Sequence, residues 1–241
     1  MTQQAGAVAD RVSRAVHHVR QSLLKRTGIV NTTAWQRRNW EKELAVEAAR
    51  PWDVLGYSWG DPEATQDQFG NYRRVLDLLR GGLTRESCVV EIGSYGGKWT
   101  QFMLGARSVI CVDLFERSAE VLRQRFGARE NLRFYKTNGN ELRWISSSSA
   151  DVVFSMDTLV RVPARSIRKY LVEAHRILAP GGRTILHLPC EEVEMSRRRG
   201  FTPLSKAWVT RTASEAGFRT YQIDAETLKH GILFLARKDG G

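Results

Sequence analysis

Short apolar runs alternate along this chain with stretches whose apolar residues recur every three to four positions, a pattern that predicts strands and helices in turn. The runs at 88–92, 131–137, 150–157 and 182–189, and the one closing at Asp113, read as strands. The apolar run within 150–157 suggests a strand buried on both faces. Between them, Ala119, Leu122 and Phe126 share one helical face over 116–127, and Ile167, Leu171, Ala174 and Leu178 share another over 164–178, which Pro180-Gly181-Gly182 stops. Phe69, Tyr72, Val75 and Leu79 predict a helix over 66–79 ending at Gly81-Gly82, and Lys98 to Leu104 has a helical pattern. A capped helix is expected from Thr202-Pro203 to near Gly217, followed by two strands at 218–225 and 231–238 with a short connection, a closing hairpin. Near the start, Val8, Val12, Ala15, Val16, Val19 and Leu23 form a stripe with Arg11, Arg14, Arg20, Lys25 and Arg26 mostly off it, a basic amphipathic helix over about 5–26.

The stretch that organises the rest lies behind the first of these strands. Gly93, Gly96 and Gly97 break it, and a turn this poor in Cβ atoms lets backbone N–H groups approach a ligand. A helix starting behind the turn adds a positive dipole end suited to an anionic group. Asp113 closes the second strand about 20 residues after Glu91, where a nucleotide-binding βαβ unit offers its acid to a ribose diol. The turn departs from the dinucleotide fingerprint G-x-G-x-x-G.

EIGSYGGKWT instead resembles motif I of the class I S-adenosylmethionine-dependent methyltransferases, E/D-x-G-x-G-x-G, with Tyr95 in place of the middle glycine. DVVFSMDTLVRV is similar to that family's D-x-V-x-S-x-D-x-L-x-H, with Arg161 in place of the histidine, and YLVEAHRILAPGG is similar to its helix ending in R-x-L-x-P-G-G. The lead-in WGDPE with NYRRVLDLL resembles bacterial small-molecule and sugar methyltransferases. The resemblance runs from about 56 to 238. It implies a Rossmann-like, seven-stranded, mostly parallel sheet with an antiparallel last strand, helices on both faces and an N-terminal helical cap. The cap takes residues 1–60 and the methyltransferase domain 61–241.

The same resemblance implies S-adenosylmethionine as cofactor. Glu91, Gly93 and Gly97 would surround its methionine part, with Ser94 and Tyr95 in the turn. Asp113, followed by Leu114, would hold the ribose. Asn138, replacing the family's acid, and Gly139 would stand near adenine, and Ser155 at the end of the fourth strand. The implied reaction is methyl transfer to a nucleophile, first of all an oxygen on a small molecule or sugar. An alcohol needs a base within hydrogen-bond reach. Asp157 and His187 close neighbouring strands, so His187 is expected as the base, Asp157 as its orienter, and Arg161 as a holder of an anionic acceptor group.

Composition widens the list of partners. A formal net charge of +11 and a pI of about 10.0 make an acidic partner a candidate. A nucleic-acid (RNA) methyltransferase is therefore one alternative, although 155–158 reads Ser-Met-Asp-Thr where a target-base motif would stand. A non-methylating S-adenosylmethionine-binding protein is the other. The 5–26 helix is too charged to span a bilayer and is read as a lid on the domain or, alternatively, as a peripheral membrane contact. Trp35, Trp40, Trp52 and Trp59, four of the seven tryptophans, read as a lid wall. The three cysteines form neither metal spacing nor disulfide framework, so the sequence assigns no metal and a cytoplasmic setting is expected.

Overall fold

A computed structural model describes residues 57–240 together with 41, 42, 44–46 and 49. The expected 5–26 helix, and Trp35, Trp40 and Trp52, lie outside the described residues. Seven strands form one sheet: β1 (Cys88–Ile92), β2 (Ser108–Asp113), β3 (Leu132–Lys136), β4 (Ala150–Ser155), β5 (Leu178–Leu188), β6 (Thr220–Asp224) and β7 (Ile232–Arg237), in the order β3-β2-β1-β4-β5-β7-β6. Pairings from β3 to β5 are parallel, and β7 runs antiparallel to both β5 and β6. The expected Rossmann-like sheet with an antiparallel last strand is thus the fold observed.

Both faces of the sheet are covered, which is why its central strands are apolar throughout. On one side α3 (Ala164–Ile177) and α5 (Lys206–Glu215) pack on Val90, Val153, Leu186 and Phe234. On the other, α1 (Tyr72–Arg80) and α2 (Glu116–Phe126) bring Tyr72, Val75, Leu76 and Leu122 against Val89, Val109 and Phe154. A short helix, α4 (Glu194–Arg198), sits in the loop after β5. Leu44, fully buried, packs with Phe115 and Val121 at the start of α2, with Tyr95 and Leu114 against them.

Four boundaries differ from expectation. Lys98 to Leu104 holds only a 3-10 turn, Thr100–Phe102, closed by i to i+3 bonds such as Phe102 N–H to the Trp99 carbonyl at 3.0 Å. The segment is too short to offset the cost of nucleating an α-helix, so no helix dipole stands behind the glycine turn. The 66–79 helix starts at Tyr72, because Asp67 Oδ1 accepts from the N–H groups of Phe69 and Gly70 and makes a turn there, while Asn71 caps the helix by accepting from Arg74 N–H at 3.0 Å. Pro180-Gly181-Gly182 does not stop α3 in a loop. The chain leaves the helix at Ile177 and is already β5 at Leu178, and Ala179, the residue before the proline, continues the extended backbone that its position favours. The last cap is Ser205, which accepts from Trp208 N–H at 3.1 Å, while the Thr202 hydroxyl donates to the Val162 carbonyl at 2.7 Å. In α2 the buried positions are Ser118, Val121 and Leu122, with Ala119 and Phe126 half-buried. In β3, at the sheet edge, Leu132 and Phe134 are half-buried.

Candidate functional site

The strand order reverses direction between β1 and β4, and at the carboxyl ends of these strands the sheet opens into a cleft. A topological switch point is where open α/β sheets bind ligands. Gly93, Ser94 and Tyr95 after β1, Asp113, Leu114 and Phe115 after β2, and Thr137 and Gly139 after β3 make one wall. Met156, Asp157 and Thr158 after β4, with Lys98, Trp99, Trp59 and Arg161, make the other.

Both walls hold their loops in uncommon backbone conformations. Tyr95 has φ 47° and Asp157 φ 59°, left-handed values that cost a non-glycine residue roughly 1–3 kcal/mol. Gly93 has φ 82°, and a side chain there would run into Thr158 across the cleft. Its glycine is therefore required twice over. Gly97, also at φ 82°, faces Phe126 and Leu122 instead, so it serves packing rather than the cleft.

Asp113 is 6% exposed, and its carboxylate accepts from Tyr95 N–H at 2.8 Å and Phe115 N–H at 3.1 Å. Burial pushes its pKa up to about 6, against the pull of those amides. The acceptor capacity left on a carboxylate fixed in this way suits the hydroxyls of a diol. The Ser94 hydroxyl and Trp99 indole N–H are buried in the cleft lining without a hydrogen-bond partner among the described residues. Buried polar atoms with no partner point to a ligand that supplies one. These features fit a ribose-bearing, polar cofactor.

Other sequence-expected residues lie elsewhere. Glu91 is buried beneath the turn, accepting from the Thr100 hydroxyl at 2.5 Å and the Cys111 thiol at 3.6 Å, and burial pushes its pKa up to about 7. It does not line the cleft. Asn138 is exposed, with its side-chain oxygen occupied by Asn140 N–H at 3.0 Å. The Ser155 hydroxyl donates to the Ile92 carbonyl at 2.8 Å and ties β4 to β1.

The other end of the cleft is built around Asp157. Lys98 Nζ lies 3.3 Å from Oδ2, and it also donates to the carbonyls of Trp59 at 3.1 Å and Gly60 at 3.2 Å. The Tyr72 hydroxyl is 3.1 Å from both carboxylate oxygens, His230 Nε2 is 2.9 Å from Oδ1, and His187 Nδ1 is 3.2 Å from Oδ1. Burial alone would raise the Asp157 pKa, but Lys98 and the two histidines outweigh it and hold the carboxyl well below its ordinary value. Burial lowers the Lys98 pKa, with Asp157 opposing.

His187, expected as a general base, is wholly buried and does not line the cleft. Burial drives its pKa down to about 4, the neighbouring His230 adding to this. Its imidazole touches Asp157 and not the cleft. Asp157 and Arg161 do face the cleft, and the Arg161 guanidinium lies 5.0 Å from the ring centroids of both Trp59 and Phe201.

Sequence reasoning did not pick out Lys98, Tyr72 or His230. Lys98 follows the glycine turn directly, so its address was readable. Tyr72 looked like core packing, and nothing in Lys229-His230-Gly231 signals that the β6–β7 connection returns under the cleft.

Residues 89–182 match a protein family described as methyltransferase domain. A rat protein named thiol S-methyltransferase TMT1B (Rattus norvegicus) is 33% identical over 114 residues, 46% of this chain and 45% of the relative. The human protein of that name (Homo sapiens) is 28% identical over 126 residues, 50% of this chain and 51% of the relative. The chain thus spans about half the length of the curated relatives it matches. Among solved structures, the complex of the Haloferax volcanii Trm112 methyltransferase activator with a methyltransferase contains a chain similar at TM-score 0.64 and 17% identity, covering 82% of this chain and 98% of that one. An S-adenosylmethionine-dependent methyltransferase from Mesorhizobium loti gives 0.56 and 16%, covering 68% and 98%. The [4+2]-cyclase SpnF gives 0.61 and 13%, covering 86% and 95%. At these identities the structures speak for the fold alone. The match over residues 89–182 thus falls on the strands and turns that build the cleft, within a sheet of the same fold as these structures.

Proposed function

We propose that the chain transfers the methyl group of S-adenosylmethionine to a small, weakly acidic acceptor, and that this acceptor is a thiol. The observation that carries the reading is the Lys98–Asp157 pair at one end of the cleft, with no strong base beside it among the described residues.

The cofactor supplies a methyl carbon already bonded to a sulfonium leaving group. Asp113 would accept the ribose hydroxyls. The turn from Gly93 to Tyr95, with the Ser94 hydroxyl, would take the methionine end, and Gly139 beside Leu114 leaves room for a flat base. Trp59, Trp99 and Met156, which line the cleft, would exclude water around the reacting atoms. Fixing two reactants in line lowers a barrier by roughly 7–11 kcal/mol, so positioning is most of what the protein has to provide.

The remaining task is the acceptor's proton. Asp157 is held ionised by its partners and is a weak base, and His187 does not reach the cleft. An alcohol would find little help here. A thiol, with an ordinary pKa of about 8.5, needs only a nearby positive charge to become the nucleophilic thiolate. Lys98 would be that charge, and the departing proton would pass to solvent at the open side of the cleft. The rat and human relatives, named thiol S-methyltransferases, support the same choice. The oxygen acceptor expected from the resemblance has no comparable support.

The test is a panel of acceptors of equal size, alkyl thiol, phenol and alkyl alcohol, each incubated with the protein and S-adenosylmethionine, with products identified by mass. The expected order is thiol first, phenol weaker, alcohol absent. Methylation of the alcohol ahead of the thiol would refute the assignment.

A further inference from the structure

Three side chains from separate parts of the chain converge on one carboxylate oxygen beneath the cleft. Asp157 comes from the loop after β4, His187 from the end of β5, and His230 from the β6–β7 connection, and their ligating atoms all lie within 4.8 Å of one another. Both imidazoles are buried.

The hydrogen-bond partners orient both rings. His230 Nδ1 is 3.1 Å from the Phe69 carbonyl oxygen, which can only accept, so Nδ1 carries a hydrogen and Nε2 is the nitrogen turned to Asp157 Oδ1, at 2.9 Å. His187 Nδ1 stands 3.2 Å from the same oxygen and 3.3 Å from the Asp157 backbone nitrogen. The Tyr72 hydroxyl donates to Oδ1 at 3.1 Å. Two imidazole nitrogens and a carboxylate oxygen converging this closely in a buried place are arranged to share one electrophile, a proton or a metal ion.

We propose that Asp157, His187 and His230 form a binding site for one divalent transition-metal ion of the zinc class. Two imidazoles and a carboxylate are a donor set suited to such ions. The Nδ1–H of His230 on a backbone carbonyl is the outer contact that metal-bound histidines use to hold tautomer and ring orientation. The ion would tie the β4 loop, the end of β5, the β6–β7 connection and, through Phe69, the lead-in to α1 into one floor. It would also fix Oδ2 of Asp157 where Lys98 meets it. Lys98 opposes the site, because its ammonium stands 3.3 Å from that second oxygen. Removing the charge should tighten metal binding.

The test titrates the full chain, stripped with chelator and carrying His17→Gln and His18→Gln to silence the adjacent sequence histidines, with Zn²⁺ in a calorimeter and with Co²⁺ in a spectrophotometer. The expected result is one equivalent bound per chain, with Co²⁺ d–d bands and no intense thiolate charge-transfer band. His230→Gln should lose more than about 100-fold in affinity, beyond the 10–100-fold that loss of an outer partner costs. Lys98→Met should gain. Circular dichroism and a cooperative melt establish that each variant is folded. Should His230→Gln fail to fold, the Co²⁺ form of the parent decides through paramagnetically shifted imidazole N–H signals in its proton spectrum, whose absence overturns the proposal. No uptake by the parent, or equal affinity in folded His230→Gln, also overturns it and leaves a cluster arranged around a shared proton. Metal uptake is read without turnover, so it stands or falls separately from the methyl-transfer reading.

Discussion

Asp113 and Glu91 show how the same chemistry at neighbouring strand ends serves different purposes. Asp113 faces the cleft, and hydroxyls donating to its carboxylate would make charge-assisted bonds of about 1.5–3 kcal/mol in total worth. Asp113→Ala should therefore weaken S-adenosylmethionine binding by roughly 10–100-fold in calorimetry, while a surface change such as Glu130→Ala leaves it alone. Glu91 is held in the core, its pKa raised from 4.5 to about 7. In this window the folded chain keeps a proton that the unfolded chain has released, so the Glu91 contribution to stability falls as pH rises from 4.5 through 7. Glu91→Gln cannot titrate, and its stability relative to the parent should improve across that window by up to about 3 kcal/mol, read by denaturant melts at a series of pH values. A pH-independent difference would contradict the burial argument. Of the residues expected from sequence, Gly93, Ser94, Tyr95, Asp113, Leu114, Gly139, Asp157 and Arg161 line the cleft. Glu91, Gly97, Asn138, Ser155 and His187 do not, because a motif fixes strand and turn but not which way a side chain leaves them.

The elements were legible where hydrophobic period and burial agree. The strands at 88–92 and 150–155 are buried along nearly their whole length, and their apolar runs say so. Boundaries were set by polar side chains that periodicity does not see: Asp67 and Asn71 before α1, Ser205 before α5. Asn71→Ala and Ser205→Ala should each lower stability by about 1 kcal/mol through loss of an N-cap, and Thr202→Ala should not fray α5. Equal loss of α5 helicity from Thr202→Ala, measured by amide exchange, would mean that the helix starts where its sequence first suggests. Phe154, fully buried on β4, packs its ring 5.3 Å from that of Trp99 in the cleft wall. Phe154→Ala should cost about 3–5 kcal/mol.

At the scale of the molecule, the acceptor site is assembled from positions far apart in the chain. Lys98 comes from the turn after β1, Tyr72 from α1, Asp157 from the end of β4, and His187 and His230 from the antiparallel end of the sheet. Only folding brings them together, which is why no local motif announced the cluster. The net charge of +11 is a property of the whole chain and needs no nucleic acid to explain the cleft, whose lining is largely aromatic and aliphatic around Asp113, the Lys98–Asp157 pair and Arg161. The central claim is that this pair promotes transfer of a sulfonium methyl to a thiol. It is tested most directly by incubating the protein with methyl-deuterated S-adenosylmethionine and an alkyl thiol, and following the labelled methyl thioether by mass for the parent and for Lys98→Met. The account predicts labelled thioether from the parent and a rate lower by roughly 100-fold in Lys98→Met at neutral pH, partly recovered at high pH where the thiol ionises unaided. A parent protein that binds S-adenosylmethionine yet forms no labelled thioether, or a Lys98→Met variant as fast as the parent, would contradict it.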